Sequence, residues 1–148
     1  MAKWLVAGSV GLPAIFAGAL VQRVVAADPS MWAAVVYLAA SRICHQLPAR
    51  SFHTAGVQWP VCGRCSGLYL GGALGGVLAG WLASRIRERD RVAWLVVAAL
   101  PTAATFLLEW TGLAPVTNIA RAVAAVPLGM AIAAVVIHGT GSSRKSIG

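Results

Sequence analysis

The sequence predicts an all-α integral membrane protein: a bundle of four or five transmembrane helices with a short extracytoplasmic loop that contains cysteine and histidine. Of the 148 residues, 59% are hydrophobic and 11% are charged, and the mean hydropathy is +0.77. Soluble domains are about half apolar and about a quarter charged. The apolar residues also form runs that can cross a bilayer core, which takes roughly 20 helical residues. We expect a single multi-pass domain, residues 1–148.

The net charge of +8 does not indicate a nucleic-acid-binding protein. Lysine and arginine residues are scattered between the apolar runs and gathered at their ends, and they do not form one basic stretch. Such a distribution is typical of membrane topology. We therefore expect the lipid bilayer, and no nucleic acid, as a partner of the chain.

Four apolar runs are long enough to be predicted as membrane spans. Their bounds are Trp4 to Leu20, Leu68 to Ala83 with its flanks, Val92 to Trp110, and Val116 to His138. A fifth run, Ser30 to Leu47, has helical periodicity but carries Arg42 and His45 near its end. This run either crosses the bilayer or lies half in its interface. We do not expect the first run to be a cleaved signal peptide, because no small-residue cleavage site precedes a polar mature domain.

Positive charge sets the expected orientation in the cell inner (cytoplasmic) membrane. The segment "SRIRERDR", Ser84 to Arg91, holds four arginines, and the C-terminal tail adds Arg144 and Lys145. Both segments are predicted to be cytoplasmic by the positive-inside rule. The uncharged connection "TGLAP" after Trp110 fits an outer turn. The cysteine-containing segment then lies outside the cytoplasm, and the N-terminus lies inside with four spans or outside with five.

All three cysteines and two of the three histidines lie in one short stretch of this apolar chain. Cys62 and Cys65 form a Cys-x-x-Cys pair just ahead of a predicted helix, where backbone N–H groups and the helix dipole favour thiolates. Cys44 and His45 come well before that pair, and the loop between contains proline and glycine and can fold back. Three thiolates and one imidazole form a common closed zinc site. The pattern therefore predicts a zinc ion bound by these four residues.

Other arrangements of this stretch stay open from the sequence. If His45 does not reach the cysteines, then His53, a water molecule or a substrate atom takes the fourth position. Oxidising compartments favour disulfides over free thiols, so a disulfide or thiol-redox site at Cys62 and Cys65 is a second interpretation. Inert packing of the cysteines is the third.

Two quoted stretches carry a resemblance to a known family. "CHQLPARSF", a glycine and "PVCGRCSGLYLG" resemble the signature of the small membrane proteins called domain of unknown function 2085. The matching positions are Cys44, His45, Gln46, Pro48, Arg50, Ser51, Phe52, Gly56, Cys62, Arg64, Cys65, Gly67, Tyr69 and Gly71. Asn118 and Arg121 resemble a second element of the family, and Glu109 stands where members often carry aspartate. The resemblance implies a membrane protein and supplies no activity.

One acidic and one basic side chain are predicted at the same membrane depth. Glu109 lies about five residues before the centre of the turn between the last two spans and Arg121 about six after it, so they can pair. This pair either pins two helices together or forms the floor of a polar pocket under the cysteines. Arg50 and Arg64 either hold thiolates or an anionic ligand, or are solvated. The candidate pocket residues are His53, Arg50, Arg64, Glu109, Asn118 and Arg121.

Glycines recur at every fourth position in the predicted third span. One row consists of Gly67, Gly71 and Gly75, and the other consists of Gly72, Gly76 and Gly80. Such rows allow helix backbones to approach closely in membranes. We expect them to pack within the chain, or else to form a homo-oligomer or bind a larger membrane complex.

Three classes of function are compatible with these features. In the first, the chain is a structural or accessory subunit of a membrane complex, with a zinc-organised outer loop. In the second, it is a metal-dependent membrane enzyme with Glu109 as general acid or base and Arg121 as an anion clamp. In the third, it is a thiol-disulfide oxidoreductase using Cys62 and Cys65. The third class usually relays electrons through a second cysteine pair, and only Cys44 remains here.

Overall fold

The computed structural model describes residues 2–25, 30–78 and 87–142, and the predicted helical class is confirmed there. The helices are α1 Ala2–Val25, α2 Met31–Ser41, α3 Gly63–Val77, α4 Arg91–Trp110 and α5 Asn118–Ser142. The strands are β1 Ser51–Thr54 and β2 Val57–Cys62. Two 3-10 turns lie at Pro48–Arg50 and Glu88–Asp90. By length and composition, α1, α4 and α5 can each cross a membrane.

Helix α2 is the helical part of the predicted run from Ser30 to Leu47. The Ser30 hydroxyl caps its start by accepting from the Ala33 N–H at 3.3 Å, and the helix ends at Ser41 after 11 residues. Eleven residues rise about 16 Å, which is half of a bilayer core. An α-helix of this length is too short to cross a bilayer core, and α2 packs on α1 through Ala19, Ala33 and Val36.

Helices α3 and α5 run parallel in very close contact. A Cβ atom on Gly67, Gly71 or Gly75 would overlap the backbone of α5, at positions spaced by four residues along that helix. Gly129 of α5 is equally close to the backbone of α3. The first predicted glycine row thus packs within the chain. In the second row, a Cβ atom on Gly72 would meet nothing within 4 Å, and Gly80 lies outside the described residues.

Helix α1 runs antiparallel to this pair and closes the bundle on one side. Its Phe16 ring lies 5.2 Å from the ring of Tyr69 in α3. Nearer its start, Leu5 lines an apolar cavity of about 360 Å³ together with Val136 and Ile137 at the end of α5. The first residues of α1 and the last turns of α5 therefore lie at the end of the bundle opposite the cysteines.

The cysteine-containing segment includes a β-hairpin between Cys44 and Cys65. Strand β1 pairs antiparallel with β2, with Thr54 opposite Val57. The two turn residues, Ala55 and Gly56, have φ values of 49° and 77°, as a type I′ hairpin turn requires. The sequence pattern did not indicate this hairpin, because alanine at positive φ is a weak turn signal and Pro60 interrupts the strand pattern.

Helix α4 is held mainly by α5 and is otherwise exposed. None of its residues is buried, as expected for a helix that faces lipid. The Thr102 hydroxyl donates to the Ala124 carbonyl of α5 at 2.8 Å, and Gly112, at φ 69°, ends the helix. Two parts of the predicted cytoplasmic segments lie outside the described residues: residues 84–86, and the tail with Arg144 and Lys145.

The close contact between α3 and α5 makes a testable prediction. Gly67→Ala places a methyl group against the Ala122 carbonyl oxygen, and we expect it to lower the free energy of unfolding by at least about 2 kcal/mol. Gly72→Ala adds the same methyl group on the same helix into open space and should change stability by less than about 0.5 kcal/mol. Thermal unfolding in detergent measures both variants. Equal losses would contradict the packing described here.

Candidate functional site

Three of the four predicted metal ligands form one compact group. Cys44, His45 and Cys62 each offer a ligand atom, and these atoms all lie within 4.8 Å of one another. Cys44 and Cys62 are buried, whereas His45 is exposed. Ligand atoms of a tetrahedral zinc ion are separated by about 3.5 to 4 Å. The group is thus close to the spacing that a metal ion requires.

Cys65 lies at the edge of the same group. Its side chain packs against the buried cluster that contains Cys44 and Cys62. It comes from the first turn of α3, and Cys62 is the residue that caps that helix. The structure therefore groups three of the four predicted ligand residues and places Cys65 beside them, and all three cysteines are free thiols.

A sharp turn after Cys44 brings the first two ligands to the hairpin. Gln46 adopts a positive φ of 45°, a conformation that residues other than glycine seldom adopt. Its side-chain amide donates to the Tyr37 carbonyl at 2.9 Å and to the Pro60 carbonyl at 2.7 Å. The Cys62 N–H then donates to the Cys44 sulfur at 3.2 Å. These hydrogen bonds hold the turn against β2.

A second set of hydrogen bonds fixes this turn to the rest of the hairpin. The Gln58 amide donates to the Gln46 carbonyl at 2.6 Å and to the Ser51 hydroxyl at 3.3 Å. The Tyr37 hydroxyl donates to the Gln58 carbonyl at 2.7 Å. Sequence reasoning missed Gln46, Ser51, Gln58 and Tyr37 as parts of the site. The signal for Gln46 and Ser51 was present, since both belong to the quoted motif.

The environment of Cys62 favours its thiolate. A hydrogen bond from the Cys65 thiol, followed by one from the Cys65 backbone and one from the Cys44 thiol, lowers the pKa of Cys62 to about 5, against the opposing effect of burial. A nearby His45 charge acts in the same direction. A thiolate is the form that binds metals and attacks disulfides, so this residue is suited to either chemistry.

His53 does not join the group. It lies on β1 opposite Gln58, and four residues of β2, about 13 Å, separate Gln58 from Cys62. The His53 side chain is exposed. The alternative in which His53 supplies the fourth ligand therefore does not fit this geometry, and His53 also lies outside the arginine cluster described next.

Glu109 forms a second cluster with three arginines. The predicted pair with Arg121 is present, at 2.9 Å between Nη2 and Oε1 and 3.4 Å between Nε and Oε2. Arg64 Nη2 lies 2.8 Å from Oε2, and Arg50 Nη2 lies 3.0 Å from Oε1. Arg50 and Arg64 thus contact the carboxylate. We call these four residues the Glu109 cluster.

The Glu109 cluster connects elements that are distant in sequence. The Arg64 guanidinium crosses from α3 and lies 5.5 Å from the centre of the Phe106 ring of α4. Asn118 accepts a hydrogen bond from Arg121 and donates to the Ser51 carbonyl of β1 at 2.9 Å. The hairpin, α3, α4 and α5 therefore meet at this one point, beside the cysteines.

The region that holds both groups of side chains matches a known family. The family model described as "Predicted membrane protein (DUF2085)" matches residues 44–135, more than half of the chain. The chain belongs to this family. The matched region begins at Cys44 and includes the hairpin, the Cys/His group and the Glu109 cluster. This membrane protein family is the one that the quoted motifs resemble.

Two relatives match shorter stretches. A protein of Methanothermobacter thermautotrophicus, described as "Uncharacterized protein", is 55% identical over 29 residues, which is 20% of this chain and 26% of that protein. A second "Uncharacterized protein", from Methanocaldococcus jannaschii, is 50% identical over 36 residues, which is 24% of this chain and 23% of that protein. The chain thus matches about a quarter of the length of each relative. No solved structure matches the chain.

The role of Gln46 in positioning the ligands can be tested directly. Gln46→Ala removes two part-buried hydrogen bonds to backbone carbonyls and keeps the unfavourable φ, so we expect it to destabilise the protein by about 2 kcal/mol. We also expect faster alkylation of Cys44 in the metal-free protein. His53→Ala, on the exposed side of the same hairpin, is the control and should change neither measurement. If both variants behave like the unmodified chain, Gln46 does not hold the turn.

Proposed function

We propose that Cys44, His45, Cys62 and Cys65 bind one zinc ion that fixes the hairpin to the start of α3. The observation that supports this most directly is the convergence of Cys44, His45 and Cys62, whose ligand atoms lie within 4.8 Å of one another. Cys44 and His45 lie in the connection that follows α2, and Cys62 is the last residue of β2. Chance packing seldom gathers three soft ligands in a chain that has so few of them.

The site has the character of a structural zinc site. Four protein ligands fill a tetrahedral ion and leave no open position for a substrate. The hydrogen bonds of Gln46 and Gln58 already hold the ligand-bearing turn. A bound ion would connect this turn to the start of α3 and complete the segment from Cys44 to Cys65, which we call the cap. On this basis the chain acts as a structural or accessory subunit of a membrane complex, with the cap outside the cytoplasm.

The geometry of Glu109 argues against its use as a general acid or base. Three guanidinium groups contact its two oxygens at 2.8 to 3.0 Å. A carboxylate so surrounded by cations is held in its ionised form and is geometrically fixed. Proton transfer through Glu109 would disrupt contacts to Arg50, Arg64 and Arg121 together, so a joining role fits this residue better.

A thiol-disulfide oxidoreductase is the second candidate, and the state of Cys62 favours it. A thiolate at a helix start with a hydrogen-bonded Cys65 three residues further along is the arrangement of a reactive Cys-x-x-Cys pair. Oxidation of the Cys62 thiolate and the Cys65 thiol to a disulfide would pass two electrons to an acceptor and release one proton. Since Cys44 is the one further cysteine in the sequence, no second pair within the chain can relay them.

Metal content and thiol count of the purified protein distinguish the two candidates. We expect about one zinc per chain and, after cobalt replacement, the absorption spectrum of a tetrahedral thiolate site. Cys44→Ser, Cys62→Ser and Cys65→Ser should each abolish stoichiometric binding, and His45→Ala should weaken it. His53→Ala is the matched control and should retain the metal. Metal-free protein with a Cys62 to Cys65 disulfide would support the oxidoreductase instead.

The side of the membrane that carries the cap can be measured separately. After chelation, a membrane-impermeant maleimide should label the native cysteines in right-side-out vesicles and leave them unlabelled in sealed inverted vesicles. Arg89→Cys, in a variant whose three native cysteines are replaced by serine, reports the opposite end of α4 and should show the reverse pattern. Labelling of the native cysteines in inverted vesicles alone would place the cap in the cytoplasm.

A further inference from the structure

The Glu109 cluster has more positive than negative charge. Three guanidinium groups face one carboxylate, which leaves two positive charges without a counter-charge. The whole chain has four acidic residues. Asp90 and Glu88 lie at the other end of α4, about 28 Å from Glu109 along the helix, and Asp28 lies outside the described residues. Among the described residues, no second carboxylate contacts these arginines.

Two helix starts add to this positive charge. Helix α3 begins at Gly63 and α5 begins at Asn118, and a Cβ atom on Gly63 would lie 2.8 Å from the Asn118 carbonyl oxygen. Each helix start carries a partial positive charge. The cysteines on either side of Arg64 offset part of this charge. A zinc ion with three thiolates and a neutral histidine has a charge of −1, which still leaves the region positive.

The cluster also has hydrogen-bond donors to spare. A guanidinium has five N–H donors, so the three arginines have fifteen, and their acceptors among the described side chains are Glu109 and Asn118. Arg121 and Arg64 are largely covered, with side-chain exposures of 10% and 17%, whereas Arg50 is 38% exposed. An anion can therefore approach the cluster from the side of Arg50.

The surroundings of the cluster are those of a lipid-facing rim. Trp110 and Leu113 are each 77% exposed, and Ile119 is 67% exposed. These three side chains flank Glu109 and Asn118 in sequence at the turn between α4 and α5. Tryptophan at a helix end is typical of the level where lipid headgroups meet the hydrocarbon core. Cations at that level face phosphate groups, while the apolar side chains beside them face acyl chains.

We propose that the Glu109 cluster binds the phosphate group of an anionic lipid. Arg50 provides the exposed guanidinium, and Arg121 and Arg64 supply the positive potential behind it. Arginine binds phosphate oxygens through paired N–H donors, and a headgroup with net negative charge neutralises the excess positive charge. A zwitterionic lipid carries the same phosphate together with its own cation and binds more weakly. This site is independent of the proposed zinc ion.

Binding of short-chain lipids to the purified protein in a neutral detergent tests this proposal. Native mass spectrometry or a calorimetric titration would compare short-chain phosphatidylglycerol with short-chain phosphatidylcholine and with inorganic phosphate. We expect phosphatidylglycerol to bind at least about tenfold more tightly than phosphatidylcholine, from one charge-assisted interaction. Equal affinities for the two lipids would overturn the proposal. Inorganic phosphate that binds as tightly as phosphatidylglycerol would overturn the assignment to a lipid.

Two variants connect the binding to the cluster. Arg50→Gln should weaken phosphatidylglycerol binding about tenfold, whereas Arg42→Gln, an exposed arginine close to Cys44 without a contact to Glu109, should leave it unchanged. Equal losses in both variants would indicate general charge attraction and would overturn the proposal. Circular dichroism and thermal unfolding in detergent establish that each variant is folded. If Arg50→Gln is not folded, Arg50→Lys keeps the charge, and a loss of binding below threefold in it would contradict paired N–H recognition.

Discussion

The close packing of α3 on α5 is the constraint on which the rest of the structure depends. Because glycines on α3 let the two backbones touch, both helices begin at the same level and run in the same direction. The first turn of α3 carries Cys65 and Arg64, and the first turn of α5 carries Asn118 and Arg121. The Cys/His group and the Glu109 cluster are neighbours for this reason. A wider helix spacing would separate Arg64 from the carboxylate that it contacts.

The family motif contains two kinds of residue: the proposed metal ligands, and the residues that hold the surrounding elements in place. Gln46 and Ser51 make hydrogen bonds within the cap, while Arg50 and Arg64 contact Glu109. Gly67 and Gly71 permit the contact with α5. The motif residues outside the Cys/His group therefore hold the hairpin and the helices around that group in place, as the supporting residues of the proposed zinc site would have to do.

The sequence predicted those features that depend on one apolar run or on equal distances from one turn. The span predicted from Val92 to Trp110 coincides with α4 to within one residue, because a long apolar run has few alternatives. The pair of Glu109 and Arg121 followed from their similar distances to one turn. By contrast, the contacts of Arg50 and Arg64 depend on how the hairpin folds over the helices. That fold rests on positive φ values at Gln46 and Ala55, which residue type alone does not indicate.

The single carboxylate shared by three arginines has a consequence for how the protein is made. Synthesis proceeds from the N-terminus, so Arg50 and Arg64 leave the ribosome before Glu109, which follows Arg64 by 45 residues. Until then these two cations have no acidic partner in the cap. Arg121 arrives later still. The complete Glu109 cluster can therefore form only after α4 and the first turn of α5 have been synthesised.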